Sequence, residues 1–327
     1  MAVVKADAYG HGLHLVGPAL HAAGCTCFAV TDAEEGAVLR DIIGHGADIV
    51  VLSGVFDTAD ARLVTQSRLT PVVFMTEHVR MLRDPGFTGS VWLKVDTGMH
   101  RLGADDPASL LHACLDSSMT IAGVMSHLAC ADTPDHPMNT AQVSRFAGIR
   151  RELPKDIPAS LLNSAGLACM PELSLDVVRP GIALYGTEPA AGIRLGLKPV
   201  MRFCGHIMQV TDVPAGASIS YGATFTAERN MRVAVVSCGY ADGLPRSLSN
   251  RGYGIWRGNR LPIVGRVCMD YCLLDVGGYA PVPGDEVEFW GATQPAAEVA
   301  ANAGTISYEL FTGIGHRVQH LATETAS

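Results

Sequence analysis

Short apolar runs recur along about the first 190 residues, each followed by a polar or glycine-bearing turn and then a stretch of helical spacing. The runs fall at residues 2–5, 27–31, 48–53, 71–75, 91–95, 121–127, 159–163 and 177–185. Most are rich in Val, Ile and Leu without alternation, which predicts parallel strands buried on both faces. Between them the spacing predicts helices over 13–23, 33–43, 59–68, 77–83, 108–116 and 141–152. Asp32 stands where a cap of the second helix belongs, with Glu35 three residues on. The connection from 163 to 177 is short and weakly helical. Eight such units at roughly 25-residue spacing fit an α/β fold, a (β/α)8 TIM-type barrel, better than the alternative of an open doubly wound sheet.

After Lys198-Pro199 the helical spacing fades. Strand-like segments at 203–213, 233–240, 253–256, 261–275 and 287–290 alternate with turns such as Pro214-Ala215-Gly216 and Pro283-Gly284-Asp285. One short helix is expected at 296–303. The expected division is a barrel domain over 1–199 and a mainly antiparallel β domain over 200–327.

Composition narrows the partners. With 48% apolar residues among 327, there is ample material for a core. A net charge of -8 argues against a nucleic-acid or anionic-membrane surface, and no apolar run approaches a bilayer span. The nine cysteines are scattered, and Cys25-Thr-Cys27 lacks the spacing of a zinc site or a redox pair, so no metal is expected. Reduced thiols and an opening that runs straight into a strand predict a cytoplasmic protein without a signal peptide.

In a barrel of this kind the chemistry sits at the carboxyl ends of the strands. Lys5, Lys94, Arg101, His127, Asn163, Ser164 and Arg179 all fall there. Each has an ordinary structural alternative: a lysine snorkelling from an apolar stem, a hydrogen-bonded core histidine, an arginine paired with an acid. As a group they point to a site. A lysine crowded by cations is pushed towards the neutral amine, the nucleophile that condenses with a carbonyl. The carbonyl belongs either to a substrate or to pyridoxal phosphate (PLP). Glycine-bearing ends at Ser164-Ala165-Gly166 and Pro180-Gly181-Ile182 offer backbone N–H groups to a phosphate and favour the cofactor.

The stretches "VVKADAYGHG", "LKVDTGMHRLG", "SHLACAD", "NSAG", "VRPGIALYG", "SYGATFTA", "CGYADG", "GRVCMD" and "ISYEL" follow one another from residue 3 to about 310. In these the chain resembles the alanine racemases, fold-type III PLP enzymes. The resemblance implies a homodimer with shared active sites, acting on a small amino acid, alanine, and supplying D-alanine for peptidoglycan. It implies that Lys5 carries the PLP and is one catalytic base, and that Tyr221 is the second, delivered from the neighbouring subunit. Arg179 would face the pyridine nitrogen, and Arg101 the phenolate oxygen and the substrate carboxylate. His127 would pack by the ring and bond towards Tyr221. Tyr9, Ser164, Gly181, Ile182 and Tyr308 would hold the phosphate, with Asn163 in the same cofactor set. Tyr240 would line the entrance, and the backbone of Met269, beside Asp270, would meet the substrate carboxylate. Lys94 matches a position that is N6-carboxylated in many members, where the added negative charge orients Arg101.

The residue types suit that chemistry. Racemisation breaks Cα–H on one face and remakes it on the other, so a base on each face is needed. Arg179 cannot accept a proton, whereas an acid at that position would mark an amino-acid decarboxylase of the same fold type. His100 replaces a common glycine beside Arg101, Tyr271 replaces a common glutamine, and "GIGHRV" is looser than the usual ending. These departures leave open a relative that prefers serine or a broader set. A non-catalytic PLP-binding protein is the remaining alternative, but its single barrel would lack the segment around Tyr221. Family members also carry an extra strand and a helix-like segment ahead of the lysine motif, so the amino terminus is expected to be truncated. A version with an upstream extension should melt at a higher temperature than the 327-residue chain; equal melting temperatures by calorimetry would contradict this.

Overall fold

The structure, a computed structural model, describes residues 1–323. The last four residues of the expected β domain lie outside the described residues. The chain forms two compact units, residues 1–184 with 188–196, and residues 185–187 with 197 onward.

The first unit alternates strand and helix: β1 (Ala2–Val3), α1 (Lys5–Gly10), α2 (Leu13–Ala22), β2 (Cys27–Val30), α3 (Ala33–Ile43), β3 (Asp48–Val51), α4 (Thr58–Gln66), β4 (Thr70–Val73) and α5 (Thr76–Arg83). Then follow β5 (Ser90–Lys94), α6 (Pro107–Asp116), β6 (Thr120–Met125), α7 (Pro137–Glu152), β7 (Ala159–Ser160) and α8 (Ser164–Cys169). The seven strands are parallel and lie side by side in chain order. Their apolar runs are buried: Phe28, Ala29, Val30, Ile49, Val51, Val72, Val73 and Leu93 have no exposed surface. Each such Val, Ile, Leu or Phe side chain contributes roughly 1.5–3 kcal/mol. The helices start where side chains accept their first N–H groups. Asp32 accepts from Glu35, Asp57 from Ala59 and Asp60, and Asp106 from Ser109.

The eighth apolar run departs from expectation. It forms no ladder. Arg179 makes one bridge to Asn163, and Val3 N–H donates to the Pro180 carbonyl at 2.9 Å. The segment still lies in the strand-eight position between β7 and β1, closing the curled TIM-like sheet. Pro180 has no N–H to extend a ladder, and the chain then turns into a 3-10 helix at Ile182–Tyr185.

The second unit is antiparallel, with β8 (Phe203–Val213), β9 (Ser218–Ile219), β10 (Phe225–Thr226), β11 (Met231–Val236), β12 (Tyr253–Trp256), β13 (Asn259–Pro262), β14 (Cys272–Asp275) and β15 (Glu286–Trp290). Six strands form one sheet in the order β13-β12-β15-β8-β11-β14. Ile263, just past β13, bridges Leu274 in β14, so the two edges of that sheet meet. The expected long strand over 261–275 is split, because Gly265 takes φ +78 and opens a loop between β13 and β14. α9 (Ala296–Ala303) stands where it was expected. α10 (Ser307–Thr312) was missed, being six residues long and too short to show helical spacing.

In β6 Gly123 lies opposite Trp92 of β5, and a Cβ on it would stand 2.3 Å from the indole. Gly123→Ala should therefore lower unfolding stability by about 1–3 kcal/mol, read from urea midpoints; an unchanged midpoint would contradict this packing.

Candidate active site

The first unit places Lys5 at the end of β1, behind the fully buried Val4. The chain then does something unusual. Ala6, Asp7, Ala8 and Tyr9 all adopt left-handed backbone angles, with φ between 51° and 54°. Such angles cost L-residues roughly 1–2 kcal/mol each. Two bonds to carboxylates hold the turn, and a third fixes the Glu35 carboxylate to the end of β2. Asp7 N–H donates to Glu35 Oε1 at 2.9 Å, Thr31 N–H to Glu35 Oε2 at 3.1 Å, and Leu13 N–H to Asp7 Oδ1 at 2.6 Å. Glu35 is itself held by the cap at Asp32. Burial raises the Glu35 carboxyl above its ordinary range, against the two N–H donors that lower it.

Lys94 ends β5, and Arg101 follows on a loop pinched at its neck. Ala104 N–H donates to the Lys94 carbonyl at 2.8 Å, and Asp96 N–H to the Ala104 carbonyl at 3.3 Å. Asp96 organises the turn within, accepting from the N–H groups of Gly98, Met99 and His100. His100 has φ +56, which explains the glycine common there; histidine is among the side chains that tolerate this region best. Its ring lies 3.4 Å from Asp96, so the replacement adds an ion pair when protonated.

Arg179 is buried with no carboxylate beside it. Its Nη1 donates to Ser160 Oγ, and its Nη2 to the carbonyls of Ser126 and Leu161 and to His127 Nδ1 at 3.3 Å. A guanidinium only donates, so His127 Nδ1 must be the acceptor and its ring carries the proton on Nε2. Burial, then Arg179, Arg101 and the two lysines, push the His127 imidazole down to about 3. Burial, then Arg101, Arg179 and Lys5, push Lys94 down to about 8, against Asp96. Burial and Arg101 lower Lys5 as well, with Glu35 opposing. One unit thus gathers Lys5, Lys94, Arg101, His127 and Arg179 in mutual electrostatic reach.

An anion cradle adjoins them. Asn163 Oδ1 caps α8 by accepting from Gly166 N–H at 2.9 Å. Ser164 Oγ accepts from Gly181 N–H at 2.8 Å and from Ala183 N–H at 3.3 Å. Both lone pairs are then engaged, so the hydroxyl proton is directed to a further acceptor. A Cβ on Gly181 would lie 2.6 Å from the Tyr9 hydroxyl, so only glycine lets that phenol approach the backbone at the start of the Ile182 turn. Converging hydroxyls and a helical start beside a cationic cluster suit a phosphate.

Tyr221, Tyr240, Met269 and Tyr308 belong to the second unit, where all four are exposed, Tyr221 by 72%. Tyr221 opens a 3-10 turn after Ser220, whose Oγ donates to the Arg266 carbonyl at 2.8 Å. Tyr240 N–H donates to Cys268 O and Ala241 N–H to Met269 O, both at 3.0 Å, so these backbones run together. Arg317 spans the same loops, pairing with Asp242 at 2.6 Å and Asp270 at 2.7 Å.

Sequence reasoning missed Asp7 and Gln142, and it assigned Glu35 only to a cap. The D-x-x-E spacing at Asp32–Glu35 was visible, but nothing in it says that the carboxylate reaches back to Asp7. Among the described residues no group of three or more His, Cys, Asp or Glu is placed to hold a metal, and no helix is long and apolar enough to cross a membrane.

A parallel barrel whose strand ends collect amines, guanidinia and an anion cradle, followed by an antiparallel β unit, has the make-up of an enzyme with lysine chemistry at a barrel mouth. Comparison with known proteins makes the class specific. Residues 1–189 match the alanine racemase N-terminal domain, and residues 200–322 the alanine racemase C-terminal domain. The alanine racemase of Nitratidesulfovibrio vulgaris (strain DP4) is 44% identical over 336 residues, covering 96% of this chain and 89% of the relative. The biosynthetic alanine racemase of Pseudomonas aeruginosa superposes with a TM-score of 0.89 at 40% identity, over 97% of this chain and 90% of that one. The Bartonella henselae enzyme, solved with covalently bound pyridoxal phosphate, gives 0.90 at 34% identity over the same shares. The chain belongs to the alanine racemase family.

The neutral His127 sets a pH dependence. An unfolded histidine takes a proton near 6.5, whereas the folded ring stays neutral down to about 3. Its folded value is depressed, so the stabilisation is full above about 6.5 and is lost as pH falls towards 3. Between pH 7.5 and 5, His127→Gln should lose less unfolding free energy than the parent, by about 2 kcal/mol in urea titrations. Equal losses would contradict the buried neutral ring.

Proposed function

We propose that this protein is a PLP-dependent alanine racemase that interconverts L- and D-alanine with Lys5 and Tyr221 as its two bases. The observation that carries the reading is the half-buried Lys5, its proton affinity lowered by burial and Arg101, with Ser164, Gly181 and Tyr9 forming an anion cradle in the same unit. The residues present in the first unit fit the cofactor: Ser164, Gly181, Ile182 and Tyr9 for the phosphate with Asn163 capping α8, and a donor-only Arg179 for the ring nitrogen; the family resemblance alone adds Tyr308. When bound, pyridoxal phosphate supplies the electron sink that makes Cα–H acidic.

The chain's own groups do the rest. Lys5 Nζ, its proton affinity lowered by burial and then by Arg101, takes or returns the proton on one face. Tyr221 Oη does so on the other face, and its 72% exposure in the β domain is what a residue offered to a neighbouring subunit requires. Arg101 receives the substrate carboxylate, while Tyr240 and Met269 bound the entrance. Arg179 donates and never protonates the ring nitrogen, which holds back side reactions that need a stronger sink. His127 accepts from Arg179 at Nδ1 and so presents Nε2–H. Lys94, lowered to about 8, holds enough neutral amine to add CO2, losing one proton and gaining a carboxylate that would orient Arg101.

The assembly in this reading is a homodimer with shared sites, in the cytoplasm, whose D-alanine feeds peptidoglycan. The exposed Tyr221, Tyr240 and Met269 support the shared sites. Purified protein with added PLP should interconvert the alanine enantiomers by chiral chromatography. Lys5→Ala should lose at least about 1,000-fold in kcat/KM, and Tyr221→Phe a similar factor, equal in both directions because the enantiomers are equal in energy. Full activity of either variant, or of a monomer by light scattering, would overturn the shared two-base assignment.

A further inference from the structure

Beneath the site, one helix side chain ties together two of its elements. Gln142 of α7 is completely buried. Its Nε2 donates to the His127 carbonyl at 2.9 Å and to Thr97 Oγ1 at 3.2 Å, and its Oε1 accepts from Ala129 N–H at 2.9 Å. Thr97 and Ser126, also buried, share a 2.8 Å hydrogen bond, and Ser126 Oγ bonds to the Val95 carbonyl at 2.9 Å. The donors can be assigned. Ser126 must spend its proton on a carbonyl, so Thr97 must donate to Ser126, and Gln142 must donate to Thr97. A one-way chain results, running from Gln142 through Thr97 and Ser126 to Val95. One turn along α7, Arg145 Nη1 donates to the Thr97 carbonyl at 3.1 Å. Residue 97 is therefore held by both its hydroxyl and its carbonyl. It begins the turn that Asp96 organises and that ends in Arg101.

We propose that Gln142 is a positioning residue, which through Thr97 locks the Arg101-bearing loop to the strand end carrying His127. The inference rests on the racemase reading for what Arg101 binds, but the lock itself is a property of the fold. Arg101 is exposed within its unit, and its loop is fastened at the neck by Ala104 and from below by Gln142 and Arg145. A buried amide whose three bonds all end on these two segments has no partner elsewhere among the hydrogen bonds of the described residues.

The test compares holoenzymes carrying Thr97→Val, which keeps the shape and removes the hydroxyl, Gln142→Met, and the conservative Thr97→Ser. Two readouts separate positioning from general stability. Hydrogen exchange at the amides of Gly98, Met99 and His100 should quicken about tenfold or more in Thr97→Val and Gln142→Met, while the β5 and β6 ladders keep parental protection. The KM for alanine should rise about fivefold or more with a smaller change in kcat, since a displaced Arg101 loosens the carboxylate. Thr97→Ser should return both to near parental values. Parental exchange and KM in a folded Thr97→Val, or failure of Thr97→Ser to restore them, overturns the proposal. Should Gln142→Met not fold, Thr97→Val and Thr97→Ser decide. A parental protein without racemisation would sink the proposed function, and the exchange data would still judge the lock.

Discussion

Lys5 stands at the barrel mouth because the chain behind it runs left-handed for four residues, and carboxylates hold that conformation. Glu35 accepts from the backbone N–H groups of Asp7 and Thr31, and Asp7 accepts from Leu13. Four L-residues at these angles cost roughly 4–8 kcal/mol. The two hydrogen bonds that tie this turn to carboxylates, Asp7 to Glu35 and Leu13 to Asp7, contribute roughly 1.5–3 kcal/mol each and offset a large part of that cost. Without them the backbone would relax into the β or right-handed region and carry Lys5 with it. The Tyr9 hydroxyl, at the far end of the same turn, would leave Gly181. One carboxylate on α3 thus places both the amine and part of the anion cradle.

The second constraint is charge without its opposite. Arg179 is buried among carbonyls and a serine hydroxyl, so its guanidinium is solvated by dipoles and remains an uncompensated positive charge. Lys94, Lys5 and Arg101 add to the same field. Burial first, and then the mutual repulsion of such a cluster, lower the proton affinity of the two amines and the imidazole. The same field attracts an anion, and in the proposed reading the phosphate, phenolate and carboxylate groups of cofactor and substrate supply it. A base ready to take a proton and a pocket ready for an anion are two consequences of one arrangement.

Most of the barrel was legible along the chain. Buried parallel strands must be apolar throughout, and the helices between them must show one apolar stripe, so α3 appears in its place from spacing alone. Lys5, Arg101, Ser164, Arg179 and Gly181 stood out for another reason: they lie at or just past the ends of apolar runs, or within the eighth run, where a barrel concentrates chemistry. The eighth strand misled because an apolar run states burial, whereas a ladder also needs N–H donors, and Pro180 has none. α10 was missed because six residues contain too little of the helical period.

What the sequence determined by itself is local: which runs are buried, where helices begin, and which residue types stand at the strand ends. Those follow from side-chain hydrophobicity, backbone donors and capping, all properties of neighbours along the chain. Only the tertiary structure decided which of those residues feel one another. Glu35 meets Asp7 across 28 positions, Gln142 meets Thr97 across 45, and Arg179 meets Ser126 across 53. Hydrogen bonds and screened charges act over a few ångströms of space, and sequence spacing carries no record of that distance until the sheet has curled and brought its strand ends together.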